Sequence, residues 1–457
     1  MNSTENKASR GTFSGHVGYV LAAAGSAVGL GNIWRFPYLA SRYGGGIFLL
    51  VYVILAVTFG YAMIISETSI GRMTAKSPVS AFSKFGKSGI LKAGGWINAI
   101  IPMLIVPYYS VIGGWVCKYL FEYLKGGTDA MAQDGFFTSF ITSPVSAEVF
   151  FLAFAILVSV VILAGVNNGI EKVSKVMMPL LAILALVVAC FTVTRKGALG
   201  GVKYFFIPNF SNFSWMTVVV ALGQMFYSLS IAMGILITYG SYMKKNVDIE
   251  KTTVQVIGFD SLVAILAGLM IIPAVFAFSG GDPKALNAGP SLMFVTIPKI
   301  FAQMHFGRMV GILFFVLVLF AALTSAISLM ECAVSTLCDE LKWSRRVACL
   351  VMTLFVFALG SLSSLGFSSL SFVKIFGMDI LDFFDFITNS IMMPLAALLI
   401  FYLVVRRIGL AKIAEEVEVS SSFKMKKLYN FVIKFVAPVF IAVILASSIA
   451  SLFGFKI

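Results

Sequence analysis

Apolar runs long enough to cross a bilayer recur from one end of this chain to the other. About 20 residues suffice for a helix rising 1.5 Å per residue. Eleven such runs lie at roughly 15–41, 45–70, 93–124, 148–166, 172–194, 214–242, 252–278, 309–338, 345–364, 380–405 and 429–454. Hydrocarbon offers the backbone no hydrogen-bond partner, so a spanning segment must be a helix or part of a closed barrel. Runs of this length predict helices. Only 12% of the 457 residues are charged and mean hydropathy is +0.97, against about 25% charged in a soluble domain. The chain therefore reads as an all-α polytopic membrane protein with eleven transmembrane helices. No Pro- or Ser-rich linker divides it, so 1–457 reads as one transmembrane domain.

A net charge of +14 would suit a polyanion, but its distribution argues otherwise. With the N-terminus in the cytoplasm, 21 of the 34 Lys and Arg residues fall in loops on that side. This is the positive-inside bias of membrane topology, and it needs no nucleic-acid partner. An odd number of spans puts Ile457 outside. The first run is too long and Gly-rich, and lacks a cleavage site, for a removed signal peptide. Cys117, Cys190, Cys332, Cys338 and Cys349 sit in apolar stretches without metal-ligand spacing and read as small buried hydrophobes. Two histidines leave no His-based zinc site. No Ser/His/Asp set, HExxH or GxxxxGK[ST] is present, which argues against an enzyme or an ATP-driven pump.

Two of the runs are interrupted. Gly25-Ser26-Ala27-Val28-Gly29-Leu30-Gly31-Asn32 breaks the first, followed by Trp34-Arg35-Phe36-Pro37. Gly223-Gln224-Met225-Phe226-Tyr227-Ser228-Leu229-Ser230-Ile231-Ala232-Met233-Gly234 breaks the sixth. Backbone that leaves the helix at membrane depth must be buried in protein or line a cavity. Broken segments at matching positions of two five-span halves predict an inverted repeat with a midplane site between them. We place the first repeat, with the N-terminal tail, at 1–194 and the second at 195–407; 408–457 forms an inner loop and the eleventh helix.

These segments resemble the neurotransmitter:sodium symporter family, in its bacterial amino-acid branch. The likeness continues in Tyr108-Tyr109, in Ala321-Ala322-Leu323-Thr324-Ser325 and in Asp382-Phe383-Phe384-Asp385-Phe386. It implies the LeuT-type fold, with broken helices 1 and 6, and sodium-driven amino-acid import by alternating access. A helix restarting at Leu30-Gly31 presents unpaired N–H groups and a positive dipole end, which favour an anion. The family likeness adds the Tyr109 hydroxyl to the same substrate carboxylate. Monoamine relatives carry an acid where this chain has Gly29, so the substrate is expected to bring its own carboxylate. The pocket implied is Ser26, Ile105, Tyr109, Tyr227, Ser230, Met233, Ser325, Ala326 and Leu329. Its apolar and small residues favour hydrophobic or aromatic L-amino acids.

The same resemblance implies two Na⁺ ions, held by hard oxygen ligands. The first would take the Ala27 carbonyl, Asn32, Ser228, Asp260 and the substrate carboxylate. The second would take carbonyls of Gly25, Val28 and Ala321 with the hydroxyls of Thr324 and Ser325. Asp260 stands where many relatives have Asn, and its charge predicts independence from chloride. Arg35, Gln224 and Asp385 resemble an outer gate, with Tyr227 as a lid. Arg10, Tyr242 and Asp339 resemble an inner gate, which Phe13 and His16, departures from the family pattern, would loosen. Glu67 would serve backbone N–H groups freed at the breaks, and Glu331 has no assigned role. Gly169 and Pro179 match a pair that lets the fifth helix unwind in bacterial relatives. The alternative is an amino-acid sensor of the same fold without net transport. The short loop at 125–147 suggests a bacterial inner (plasma) membrane protein, monomeric or weakly dimeric.

Overall fold

The structure, a computed structural model, describes residues 11–279 and 290–452. Among these residues it is helical throughout, with only two isolated β-bridges. Nine helices are long and apolar enough to cross a membrane. They are α3 (Gly46–Thr74), α4 (Gly89–Lys125), α5 (Pro144–Leu163), α6 (Val166–Val193), α9 (Ile249–Ser279), α10 (Gly307–Leu341), α11 (Arg345–Leu365), α12 (Ile380–Ile408) and α13 (Lys426–Ser447). The first span is a pair, α1 (His16–Ala27) and α2 (Gly31–Arg42), bent by 55°. The sixth is split into α7 (Trp215–Ser228) and α8 (Ile235–Gly240). Nine helices and one bent pair make ten spans by length and composition. The expected count of eleven needs the sixth segment as well, and neither of its pieces is long enough to count alone.

Both breaks have local causes. At the end of α1, Val28 turns extended (φ −75°, ψ 102°) while its N–H still closes onto the Ala24 carbonyl at 2.7 Å. The chain re-enters at Gly31 through a wide π-turn. α7 starts from a reciprocal Ser214–Thr217 capping box and stops at Ser228. Beyond it Ser230 (φ 53°), Ala232 (φ 60°) and Gly234 (φ 69°) are left-handed. Such a backbone costs a non-glycine residue about 1–3 kcal/mol and persists only where its surroundings hold it. Part of that hold is Glu67 of α3, whose carboxylate accepts the Ala232 N–H at 2.8 Å.

The rest of the architecture frames these breaks. α10 runs along α4, with Phe315 stacked on Tyr119 and Tyr123 at centroid distances of 5.3 and 5.4 Å. α8 lies against α3 without side chains between them. A Cβ at Gly240 would stand 2.5 Å from the Thr68 carbonyl oxygen, and one at Gly71 would overlap the Ile237 carbonyl. α5, α6 and α11 turn Val149, Ile156, Val160, Ile183, Leu186, Leu350 and Leu354 outward. Such continuous apolar exposure suits hydrocarbon. Between α3 and α4 the chain forms a short helix, Pro78–Ser83. Between α9 and α10 the described chain forms the short helices Leu292–Thr296 and Ile297–Ala302.

Candidate functional site

The two breaks face one another across a cavity of about 360 Å³ of unfilled space. It is lined from the first break by Ser26, Ala27, Gly29, Gly31 and Asn32, and from the sixth by Tyr227, Ser228, Ser230, Met233 and Ile235. Ile105 and Tyr109 come from α4; Ser325 and Leu329 come from α10. Of the pocket residues expected from sequence, Leu30 and Ala326 do not line the cavity. Leu30 contributes only its N–H, which donates to the Tyr109 hydroxyl at 3.2 Å. Ala326 is buried within the packing of α10. Ile235 was missed; it is the first helical residue after Gly234, where side chains resume a regular direction.

Small residues bring backbone to the cavity wall. A Cβ at Gly29 would lie 2.7 Å from the Ser325 hydroxyl and 3.1 Å from that of Tyr109. One at Gly31 would lie 2.5 Å from the Tyr227 ring. The Gln224 amide donates to the Gly31 carbonyl at 3.1 Å, tying α7 to the restart of α2. Ser26 and Ser230 bridge the breaks: the Ser26 hydroxyl donates to Ser230 Oγ at 3.1 Å, and Ser230 Oγ donates to the Ser26 carbonyl at 3.0 Å.

Asp260 of α9 is fully buried at the back of the first break. Its Oδ1 accepts from Asn32 Nδ2 at 2.7 Å and Ser228 Oγ at 2.8 Å. Its Oδ2 accepts from the Tyr52 hydroxyl at 2.7 Å. Asn32 Oδ1, the other end of that carboxamide, accepts the Gly29 N–H at 3.1 Å. On the opposite flank, Ser325 Oγ lies 3.3, 3.2 and 3.2 Å from the carbonyl oxygens of Gly25, Ser26 and Val28. Thr324 differs from its neighbour: its hydroxyl donates back to Phe320 at 2.9 Å within α10, while its Cβ packs against Gly25. Ala321 is buried one turn before it. Among the described residues no group of three His, Cys, Asp or Glu side chains converges as a metal site. The oxygens that converge beside Ser325 are backbone carbonyls.

The expected outer pair is not in direct contact. The Arg35 guanidinium sits 5.4 Å from the Tyr227 ring centroid. Asp385 instead accepts from the Tyr108 hydroxyl at 3.2 Å and from Asn389 Nδ2 at 2.6 Å. At the N-terminal end of the bundle, Asp339 accepts from Lys76 Nζ at 3.2 Å and the Ser77 N–H at 2.7 Å. Arg10 lies outside the described residues. Tyr242 donates to Glu331 at 2.6 Å. Glu331, without a role in the sequence reading, is paired with Arg345, which also donates to the Ile162 carbonyl at the end of α5. No sequence signal joins these residues, because they meet only through the turn between α10 and α11.

Comparison with known proteins agrees with this geometry. The model of the sodium:neurotransmitter symporter family matches residues 10–129 and 139–456. The chain is 34% identical over 441 residues to the uncharacterized sodium-dependent transporter YhdH of Bacillus subtilis, covering 95% of this chain and 97% of that protein. It is 34% identical to an uncharacterized sodium-dependent transporter of Haemophilus influenzae, over 98% and 100% of the two chains. The Drosophila melanogaster sodium- and chloride-dependent GABA transporter ine is 28% identical over 72% of this chain and 39% of its own length. Among solved structures, MhsT crystallised in complex with L-phenylalanine superposes with a TM-score of 0.86 at 36% identity, over 96% of this chain and all of that one. The chain belongs to the sodium:neurotransmitter symporter family and is a sodium-dependent, multi-pass membrane transporter, not an enzyme.

Proposed function

We propose that this protein couples two Na⁺ ions to the uptake of hydrophobic or aromatic L-amino acids, without chloride. The observation that carries the reading is the cavity between two breaks, walled by backbone at Gly29 and Gly31 and by apolar side chains beyond. Its lining, apolar side chains with a few hydroxyls and bare backbone, suits an amino acid. The substrate carboxylate would meet the N-terminal end of α2 and the Tyr109 hydroxyl, where the partial positive charge of the helix favours it. Ile105, Met233 and Leu329 would take its side chain. MhsT, of the same fold, was crystallised with L-phenylalanine.

The first Na⁺ would sit beside Asn32, with Ser228, Asp260 and the Ala27 carbonyl. The second would sit among the carbonyls of Gly25, Val28 and Ala321 and the hydroxyls of Thr324 and Ser325. Ser325 Oγ already stands at hydrogen-bond distance from three carbonyls of the first break, so oxygens converge where a hard cation needs them. Asp260 supports chloride independence: its carboxylate already takes the Tyr52 and Ser228 hydroxyl donors that a halide would need. Arg35 and Asp385 would approach one another to close the outer side, and Asp339 with Arg10 would close the inner side. One charge crossing 100 mV gives about 2.3 kcal/mol, so two ions support roughly thousandfold accumulation.

Uptake into proteoliposomes tests the reading, using labelled leucine, phenylalanine, tryptophan, glycine and lysine. Na⁺, Li⁺ or K⁺ is supplied outside, with chloride or gluconate. Na⁺-stimulated uptake of the apolar amino acids, unchanged in gluconate, is the expected result. Na⁺-dependent binding without uptake would favour the sensor; no Na⁺ effect would overturn both.

A further inference from the structure

The entry to α1 is fastened by a cluster that belongs to neither proposed gate pair. Glu171, in the π-turn that opens α6, is almost wholly buried, yet its carboxylate reaches Ser14, 157 residues away. It accepts the Ser14 N–H at 2.8 Å and also the Ser14 hydroxyl. Lys175 pairs with Glu171 at 2.6 Å and donates to Ser14 Oγ at 3.1 Å. Lys244, beyond α8, donates to the Ser14 carbonyl at 3.0 Å. Gly18 makes the approach possible, since a Cβ there would overlap the Glu171 carboxylate. Beside this cluster the Phe13 ring is buried edge-on against Tyr19, Tyr239 and Tyr242.

We propose that Glu171 is a positioning residue for transport: it latches the N-terminal end of α1, and release of Ser14 accompanies opening toward that side. The proposal rests on the alternating-access reading above. Its mechanics follow from the break at Val28. α1 is a rod of 12 residues, about 18 Å long at 1.5 Å per residue, and Ser14 lies at its far end. A tilt of only about 10° about the break would carry Ser14 through roughly 3 Å. A hydrogen bond at 2.8 Å does not survive such a displacement. A fixed carboxylate facing a backbone N–H at the end of a hinged rod therefore reports and restrains its closure. Na⁺ bound to the carbonyls of Gly25 and Val28 would hold the same rod from its other end.

Cys332 supplies the readout. It is fully buried on α10, with its thiol against the Met233 carbonyl. In full-length protein with Cys117, Cys190, Cys338 and Cys349 replaced by Ser, labelling of Cys332 by an impermeant maleimide reports opening. Glu171→Ala, which removes the acceptor, is expected to label about tenfold faster than the parent in Na⁺, a shift of about 1.4 kcal/mol, and at the parent rate in K⁺. Glu171→Asp should recover part of the difference. Ser14→Pro, which removes the N–H but leaves the carboxylate, should match Glu171→Ala and decides the matter if Glu171→Ala elutes as aggregate. Parent rates in Na⁺ for both variants would overturn the proposal. So would equal acceleration in Na⁺ and K⁺, which marks a merely structural residue. L-phenylalanine binding on the same samples separates the two readings, since its absence from the parent protein would count against the substrate assignment and not against the latch.

Discussion

Replacing Asp260 with asparagine removes one charge and nearly preserves shape. The carboxylate is fully buried and receives Asn32, Ser228 and Tyr52. Even were the Na⁺ that it helps hold as far off as roughly 5 Å, at an effective dielectric of about 20 the attraction is about 3 kcal/mol. Losing it should weaken apparent Na⁺ affinity by about two orders of magnitude. In Asp260→Asn the new amide also points N–H groups at hydroxyls that now donate to oxygen, and those hydroxyls become free to face an anion. The expected result is a variant that transports poorly in gluconate and regains activity with chloride. The assay is Na⁺-titrated uptake in proteoliposomes at fixed ionic strength, with the anion exchanged. An unchanged Na⁺ midpoint in gluconate would refute the electrostatic argument. A loss that chloride leaves untouched would refute its anion half.

Tyr109→Phe deletes the hydroxyl that meets the Leu30 N–H; one lost hydrogen bond should weaken amino-acid binding about tenfold, read by equilibrium binding, with Na⁺ dependence retained. Glu67→Gln keeps an acceptor for the Ala232 N–H and should fold with near-parent thermal stability, whereas Glu67→Ala strands that donor at a cost of about 1–3 kcal/mol, visible as a lower melting temperature in detergent. Gly240→Ala forces a methyl against the Thr68 backbone, and overpacking of about 1–3 kcal/mol should lower the melting temperature likewise; unaltered melting would mean that α8 and α3 separate easily.

The sequence discloses the parts of this fold that depend on local rules. Interrupted apolar runs locate both breaks, because lipid forbids unsatisfied backbone, and a lone Asp260 in a span marks a polar centre. Contacts set by tertiary geometry stay hidden. Glu331 meets Arg345 across a turn, Glu171 meets Ser14 across 157 positions, and Asp385 prefers Tyr108 and Asn389 to Arg35. Thr324 and Ser325 are adjacent and chemically alike, yet only one hydroxyl crosses to the first break. Helix phase decides that difference, and no composition rule carries it. The sixth span is legible as a break but not as a length, since its pieces are shorter than a membrane crossing.

The bare contact between α8 and α3 has a mechanical corollary. With backbone pressed on backbone at Gly71 and Gly240, these two helices have no side-chain cushion over which to slide. They move together, and the first residue of α8, Ile235, stands in the pocket wall. A displacement of α3 near Gly71 is therefore passed directly to α8.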